Sequence, residues 1–294
     1  MEEDMNKLQD KLHKGEFVIT AEVESPKGPD FGDELEKIKK LRGYVDAVNI
    51  CDNPMANLRM SPIALSHIIH EQLGIDTIFH LTCRDRNLLG LQSELLGAWA
   101  LGITNILTLT GDDPKRGDNP SSTGVYDCDS IGLAKIACSL NNGFDISGNE
   151  LNAKTGFLIG GVLNPLNPDI DLEIDKMKRK IDAGVAFFQT QPVYDVDAYR
   201  RFIDKVGNLG VKIIMGIMPL KSYKMAVHFN EKVPGVKIPE NILSQLKADP
   251  TCGVKIAVEI ATKARDFADG IHVMPLGRLS AVIEIARELG RGGR

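Results

Sequence analysis

The 294-residue sequence lacks the patterns that mark several large classes of protein. Its five cysteines show no CxxC or CxxxC spacing, so they form neither a disulfide framework nor an iron–sulfur signature. No apolar run approaches the ~20 residues of a membrane span. The start, Met1-Glu2-Glu3-Asp4, is acidic, whereas a secretory signal is basic and then apolar. We therefore expect a cytoplasmic protein that does not span a membrane.

Several signatures of charge and catalysis are missing as well. A net charge of −5 leaves no basic excess, which argues against general nucleic-acid binding. None of the six histidines belongs to an HExxH pattern, so the sequence predicts no metal site. There is no GxSxG elbow, and no lysine ends a strand as a Schiff-base lysine would. Covalent catalysis of these kinds is not indicated.

What the sequence does contain is a regular alternation of short apolar runs with longer amphipathic stretches. The short runs are rich in Val, Ile, Leu or Phe and are bounded by Gly, Asp, Asn or Pro, which is typical of buried parallel strands. They predict eight strands, namely Phe17–Glu24, Ala47–Ile50, Thr77–His80, Asn105–Leu109, Gly156–Val162, Ala186–Gln191, Lys212–Ile217 and Gly270–Met274.

A helical pattern follows almost every one of these strands. The main predicted helices are Asp33–Leu41, Ser61–Leu73, Leu88–Gly102, Asp129–Ser139, Asp171–Gly184, Val196–Gly207 and Arg278–Leu289. Two extra helices, Pro239–Leu246 and Cys252–Ala268, fall before the last strand. This order predicts an α/β protein with a single (β/α)8 barrel over residues 1–294. A doubly wound open sheet is the alternative, but it would usually have a glycine-rich turn after the first strand, and none is present.

Polar residues stand at the ends of the otherwise apolar strands, where a barrel places its active site. Glu22 and Glu24 share one face of the first strand, so either could point into the barrel mouth. Each polar group also has a purely structural interpretation: Glu22 as half of an ion pair, the Thr110–Pro114 segment as a turn, and Gln191 as a strand-to-strand contact. The clustering favours an active site. Its candidate residues are Glu22, His80, Asp112, Gln191, Tyr223 and Arg278.

Taken in order, these strand ends resemble the methylenetetrahydrofolate reductase family. The resemblance covers roughly residues 15–290. The matching stretches are Thr20-Ala21-Glu22, Phe79-His80-Leu81-Thr82-Cys83, Leu109-Thr110-Gly111-Asp112, the Lys178–Gly184 segment, Thr190-Gln191 and Gly216-Ile217-Met218-Pro219.

The resemblance implies a flavin-containing barrel that reduces 5,10-methylenetetrahydrofolate to 5-methyltetrahydrofolate, with hydride passing from a nicotinamide to the flavin and then to the folate. In the family's pattern, Glu22 matches the general acid and Asp112 the aspartate beside flavin and pterin. Gln191 matches the residue that binds the pterin edge. Tyr223 stands where an aromatic ring stacks on the substrate, and Arg278 where a substrate-contacting arginine is expected.

The same resemblance implies a cofactor site and a set of partners. The cofactor-binding matches are His80, Thr110, Gly111, Asp112, Arg179 and Lys180. Thr110 stands where many members have arginine, and Leu163 and Asn167 stand where a tyrosine and a histidine are common. FAD is the first expectation, with FMN as the alternative. The electron donor is expected to be NADH or NADPH, or else a partner redox subunit, and a homo-oligomer is expected. Two other functions stay open: a pterin-binding barrel methyltransferase, and a non-enzymatic barrel subunit of a larger redox complex.

Overall fold

Eight parallel strands close into a barrel in a computed structural model that describes residues 7–232 and 235–292. Neighbours along the chain pair throughout, and β1 pairs with β8 to close the ring. The strands are β1 Val18–Val23, β2 Ala47–Ile50, β3 Asp76–Thr82, β4 Asn105–Leu109, β5 Leu158–Leu163, β6 Phe187–Pro192, β7 Lys212–Ile217 and β8 Gly270–Val273. The predicted (β/α)8 barrel is confirmed, and the open-sheet alternative is wrong because that sheet has no β1–β8 pairing.

The helices surround the barrel, and most agree with the sequence prediction to within two residues. They are α1 Lys7–His13, α2 Gly32–Lys39, α3 Pro62–Leu73, α4 Leu88–Ala100, α5 Ser130–Asn141, α6 Ile170–Asp182, α7 Val196–Val206, α8 Tyr223–Lys232, α9 Glu240–Ala248, α10 Gly253–Ala264 and α11 Leu279–Glu288. Within the described ranges, α8, α9 and α10 lie between β7 and β8. None of the helices seen there is long and apolar enough to cross a bilayer.

Helix α1, which the sequence analysis did not predict, packs at the amino-terminal end of the barrel. Its Leu8 and Leu12 are buried in one apolar cluster with Val18, Ile78 and other residues that begin the strands. The Leu8 backbone N–H also donates to Asp76 Oδ2 at 2.9 Å, which fixes the helix to the start of β3. This end of the barrel is therefore filled with side chains.

Candidate active site

A cavity of 540 Å³ opens at the carboxyl ends of the strands. Side chains reach it from β1, β3, β4, β5, β6 and the β8 end, so it occupies the place where a barrel carries its chemistry. The structure brings six of the predicted site residues together along its wall, namely Glu22, His80, Thr110, Gly111, Asp112 and Gln191. Four of them were selected because they lie at the end of a predicted strand or just after it, and Thr110 and Gly111 were selected through the family resemblance.

Glu22 faces the cavity because side chains alternate along β1. Val18 lies in the interior apolar cluster, and Glu22 stands four residues further along on the same face. Burial raises the pKa of Glu22 above its ordinary value; a hydrogen bond from the Cys51 thiol opposes this, and the Glu24 charge adds to it. Glu24 itself is exposed, with Oε2 3.6 Å from Arg59 Nη2. The structure thus decides which of the two glutamates enters the barrel mouth.

Asp112 reaches the rim through a tight turn at Gly111. The Gly111 φ of +94° lies in the left-handed region, and a Cβ there would sit 2.9 Å from Arg84 Cβ and 3.1 Å from Thr82 Cβ. Only glycine fits this conformation and this approach to the end of β3. The Tyr126 hydroxyl then donates to the Asp112 carbonyl at 2.7 Å, and the carboxylate remains exposed to solvent at the cavity mouth.

Gly111→Ala should destabilise the fold and distort the cavity. Backbone strain and the clash with Arg84 together should cost about 2–4 kcal/mol in the free energy of unfolding, measured by urea titration. Gly74→Ala is the matched control, because Gly74 also has a positive φ, +61°, but no atom lies within 4 Å of its added Cβ. If the two variants lose equal stability, the close approach of the Gly111 turn does not matter.

A buried polar layer forms the floor of the cavity, and we call it the floor network. Its members come from five strands: Thr20, Asn49, His80, Gln189 and His272. Asn49 and Gln189 bond to each other at the centre, with His80 against Asn49 and Thr20 between Gln189 and His272. The sequence analysis selected only His80. Each of the other four members is a polar residue inside an otherwise apolar strand. That pattern is a signal, because buried polar groups are costly unless they are paired.

Both floor histidines are neutral at physiological pH. Burial lowers the pKa of His80 to about 4, with the Asp52 charge acting weakly against it. Burial also lowers the pKa of His272 to about 3, and nearby His80 adds to that effect. Neutral imidazoles can accept a hydrogen bond at one nitrogen and donate at the other. The floor therefore consists of uncharged groups with fixed directions.

The two histidines should make the protein lose stability in mild acid. Their folded pKa values lie below the ordinary 6.5, so between the two values the unfolded chain binds protons that the folded chain excludes. Stability is thus full above pH 6.5 and should fall by about 2 kcal/mol for each histidine by about pH 5. Urea unfolding at about pH 7.5 and pH 5 measures this, with His13→Gln as an exposed control and His272→Asn expected to reduce the dependence. A pH-independent unfolding energy would contradict the neutral state.

Below the Gly111 turn, Asp52 organises the end of β3. Its buried carboxylate accepts from the Thr82 N–H at 2.9 Å, the Thr82 hydroxyl at 2.8 Å and Arg86 Nη1 at 2.7 Å. Buried Arg84 instead pairs with Asp85 at 2.7 Å. Because Thr82 and Arg84 lie directly under Gly111, these pairs fix the wall on which Asp112 rests. The sequence analysis missed this charged cluster.

A second cavity, of 240 Å³, continues from the first past Thr110 and Gln191, which line both. Lys180 enters it from α6 and donates to the Val162 carbonyl at 2.5 Å. Burial lowers the pKa of Lys180, and Glu173 opposes that shift. The first backbone N–H of α5, from Ser130, donates to the Thr110 hydroxyl at 3.1 Å. The next two N–H groups of α5 donate to the Asp129 carboxylate, so the helix start is already capped. The Lys180 ammonium is the group at this cavity that is suited to an anion.

A comparison with known families and proteins bears on this site. The family model described as "Methylenetetrahydrofolate reductase" matches residues 7–290. The chain belongs to the methylenetetrahydrofolate reductase family. Among its relatives, "Methylenetetrahydrofolate reductase 1" of Schizosaccharomyces pombe is 30% identical over 238 residues, which is 76% of this chain and 37% of that protein. The "5,10-methylenetetrahydrofolate reductase" of Salmonella typhimurium is 28% identical over 232 residues, 76% of this chain and 73% of that protein.

The match to this family differs in extent among its members. The chain spans 37% of the yeast relative's length but most of the Salmonella enzyme. A solved structure with the same fold is described as "Uncharacterized protein from Clostridium thermocellum binds two copies of 5-methyl-5,6,7,8-tetrahydrofolic acid". It has a TM-score of 0.67 at 18% identity and covers 96% of this chain and 98% of its own. At that identity the likeness establishes the shared barrel fold.

Methylenetetrahydrofolate reductases depend on a flavin, and the cavities fit one. The larger cavity has apolar walls from Leu107, Leu109 and Val162, against which a ring system can lie. Its floor offers the imidazoles of His80 and His272 as hydrogen-bonding groups. The adjoining cavity supplies the ammonium of Lys180 for a phosphate.

Three of the residues that the family resemblance selected lie away from this cavity. Tyr223 is the first residue of α8, with about 37% of its surface exposed, and it does not line the cavity. Arg278 precedes α11 and lines a separate surface pocket with Lys37 and Lys221. Arg179 is exposed on α6, next to the half-buried Lys180. Their roles in substrate or cofactor binding stay predictions, because each would need a ligand that extends beyond the cavity or a movement of its loop.

Proposed function

We propose that this protein reduces 5,10-methylenetetrahydrofolate to 5-methyltetrahydrofolate with a bound flavin. The observation that carries the proposal is that Glu22, a carboxyl group with a raised pKa, faces the same cavity as Gln191 and Asp112. Family membership supports the reaction class. Bound in the cavity, the flavin supplies the hydride that the folate carbon receives.

Glu22 acts as the general acid. Its raised pKa keeps the carboxyl group protonated at a higher pH than an ordinary glutamate. The proton goes to the folate nitrogen that departs when the five-membered ring opens, which leaves an iminium carbon ready to accept hydride. Cys51 hydrogen-bonds the same carboxyl and holds its orientation.

Gln191 and Asp112 position the substrate. The Gln191 amide offers one donor and one acceptor face to the pterin edge from the end of β6. Asp112 stands at the mouth, where its negative charge stabilises the cationic iminium. Because its carboxylate is exposed, it can contact the pterin without first losing a protein partner.

FAD is the cofactor we favour, and FMN is the second candidate. The Lys180 ammonium supports binding of at least one phosphate. The purified protein should carry flavin absorbance, and chromatography of the released nucleotide distinguishes FAD from FMN. Protein that stays colourless after either flavin is added would overturn the proposal and leave a flavin-free pterin methyltransferase as the better candidate.

The electron donor is tested in the same preparation. Anaerobic mixing with NADH, NADPH or reduced ferredoxin should bleach the flavin with one donor faster than with the others. Subsequent addition of 5,10-methylenetetrahydrofolate should restore the colour and yield 5-methyltetrahydrofolate. Bleaching only by ferredoxin or by a co-purified subunit would indicate a partner protein. In size-exclusion chromatography, a single peak at an elution volume smaller than that of a monomer would support the homo-oligomer.

A further inference from the structure

The floor network links two histidines on strands that are three apart in the barrel. His80 belongs to β3 and His272 to β8, and both line the cavity above the network. In the described ranges no protein group hydrogen-bonds His80 Nδ1 or His272 Nε2. Each imidazole therefore binds the network through one nitrogen and leaves its other nitrogen for a ligand. The bond on the protein side decides whether that nitrogen is a donor or an acceptor.

At the centre, Asn49 and Gln189 form a reciprocal amide pair. Asn49 Nδ2 donates to Gln189 Oε1 at 2.7 Å, and Gln189 Nε2 donates to Asn49 Oδ1 at 3.1 Å. Each NH₂ group has a second hydrogen, and that hydrogen is directed outward along the network. Neither amide can turn over alone, because that would place two oxygens or two NH₂ groups against each other.

The outer bonds fix both imidazole tautomers. Asn49 Nδ2 lies 3.0 Å from His80 Nε2 and donates to it, so the His80 proton is on Nδ1. Gln189 Nε2 donates to the Thr20 hydroxyl at 3.1 Å. That hydroxyl in turn donates to His272 Nδ1 at 2.9 Å, so the His272 proton is on Nε2. In this arrangement both free nitrogens present an N–H group to the cavity.

A second arrangement satisfies the same bonds. If both amides turn over together, the Asn49 oxygen accepts from His80 Nε2–H and the Gln189 oxygen accepts from Thr20. The Thr20 oxygen then accepts from His272 Nδ1–H, and both free nitrogens present lone pairs to the cavity. A mixed arrangement either leaves one buried bond unmade or leaves the Thr20 O–H without an acceptor in the network, which costs about 1–3 kcal/mol. The network therefore has two states rather than four.

We propose that the tautomers of His80 and His272 are coupled, so that the two imidazoles carry their protons on opposite ring nitrogens. Thr20, Asn49 and Gln189 are the positioning residues that couple them. Burial keeps both imidazoles neutral, which the coupling requires, since a cation would donate from both nitrogens. The cavity floor thus offers a ligand either two N–H donors or two acceptors. A change of tautomer at one histidine therefore changes the tautomer of the other, through hydrogen bonds between side chains alone.

The consequence for the reaction rests on the proposed function. A heterocycle that accepts hydrogen bonds at both positions selects the two-donor state, and the donors stabilise negative charge on that ring. A ring that donates at one position and accepts at the other matches neither state and is disfavoured. The coupled histidines would then act as a specificity element for the electron-rich face of the bound ring, while Glu22 and Asp112 act on the folate.

The linkage is tested by nitrogen NMR of protein labelled with ¹⁵N-histidine, in which long-range ¹⁵N–¹H correlations report which nitrogen carries the proton. We expect His80 and His272 to be protonated on opposite nitrogens, either Nδ1 with Nε2 or the reverse. His67 is the internal control, because its Nδ1 lies 3.1 Å from the Leu101 carbonyl and must carry the proton. Protonation of both floor histidines on the same nitrogen, or a positive charge on either at neutral pH, would overturn the proposal.

Thr20→Val separates coupling from simple burial. The variant keeps the side-chain shape and removes the hydroxyl between Gln189 and His272. His272 should then lose its single tautomer and show averaged ¹⁵N shifts, while His80 and His67 keep theirs. An unchanged His272 would show that the network does not set its tautomer. Because the wild-type measurement needs neither variant nor ligand, its outcome stands even if Thr20→Val fails to fold or the proposed reaction is wrong.

Discussion

Glu22→Gln should lower the rate of methylenetetrahydrofolate reduction by about 10²–10⁴-fold. Glutamine keeps the size and the hydrogen bonding of the side chain, but it has no proton to give when the folate ring opens. Bleaching of the flavin by its donor should be unchanged, because that step does not use the carboxyl group. Stopped-flow absorbance measures the two half-reactions separately in one sample.

The matched control is Glu24→Gln, two residues along the same strand end. Glu24 is exposed and contacts Arg59 instead of the cavity, so both half-reactions should keep wild-type rates. Folate reduction at the wild-type rate in Glu22→Gln would rule out Glu22 as the acid. An equal loss in both variants would point to the local charge of the strand end as the cause.

Asp52→Ala should cause the largest loss of stability, about 3–5 kcal/mol in the free energy of unfolding. The change leaves Arg86, whose side chain is only 15% exposed, without its principal partner. It also removes Asp52 Oδ2, which accepts from both the N–H and the hydroxyl of Thr82. Because Thr82 supports the Gly111 turn, flavin affinity should fall as well. Urea unfolding and flavin titration measure the two effects.

An exposed ion pair provides the comparison for Asp52. Glu34 lies 3.1 Å from Lys37 on the outer face of α2, and Glu34→Ala should cost less than about 1 kcal/mol. A similarly small loss of stability in Asp52→Ala would mean that water replaces the carboxylate as the hydrogen-bond partner of Arg86. Asp52→Asn, which keeps the hydrogen-bond acceptor at one position, should fall between the two.

The strands and most helices could be predicted because their local patterns are strong. Runs such as Ala47–Ile50 and Lys212–Ile217 are short and mostly apolar, and the observed β2 and β7 have those same bounds. Helices α1 and α8 were not predicted. α1 has only seven residues. Its buried residues, Leu8 and Leu12, pack against residues near the starts of the strands, which come together only when the barrel closes. Short helices depend on tertiary packing more than on propensity.

The site was predictable where residues follow strands and obscure where they lie within them. Asp112 and Gln191 were selected because parallel strands end at one edge, and both line the cavity. Asn49 and Gln189 lie within apolar strands, and the role of each depends on its hydrogen bond to the other, 140 residues away. Tyr223 and Arg278 also follow strands and match the family pattern, but neither lines the cavity.

By itself, the sequence determined that parallel strands alternate with helices and that acidic and amide side chains gather at the strand ends. These features follow from periodicity and turn chemistry within short segments. Only the tertiary structure decided that Glu22, and not Glu24, enters the mouth, and that Thr20 meets His272 across 252 positions of the chain. Barrel closure and strand register set these contacts, because a shift of one residue would turn each side chain to the opposite face.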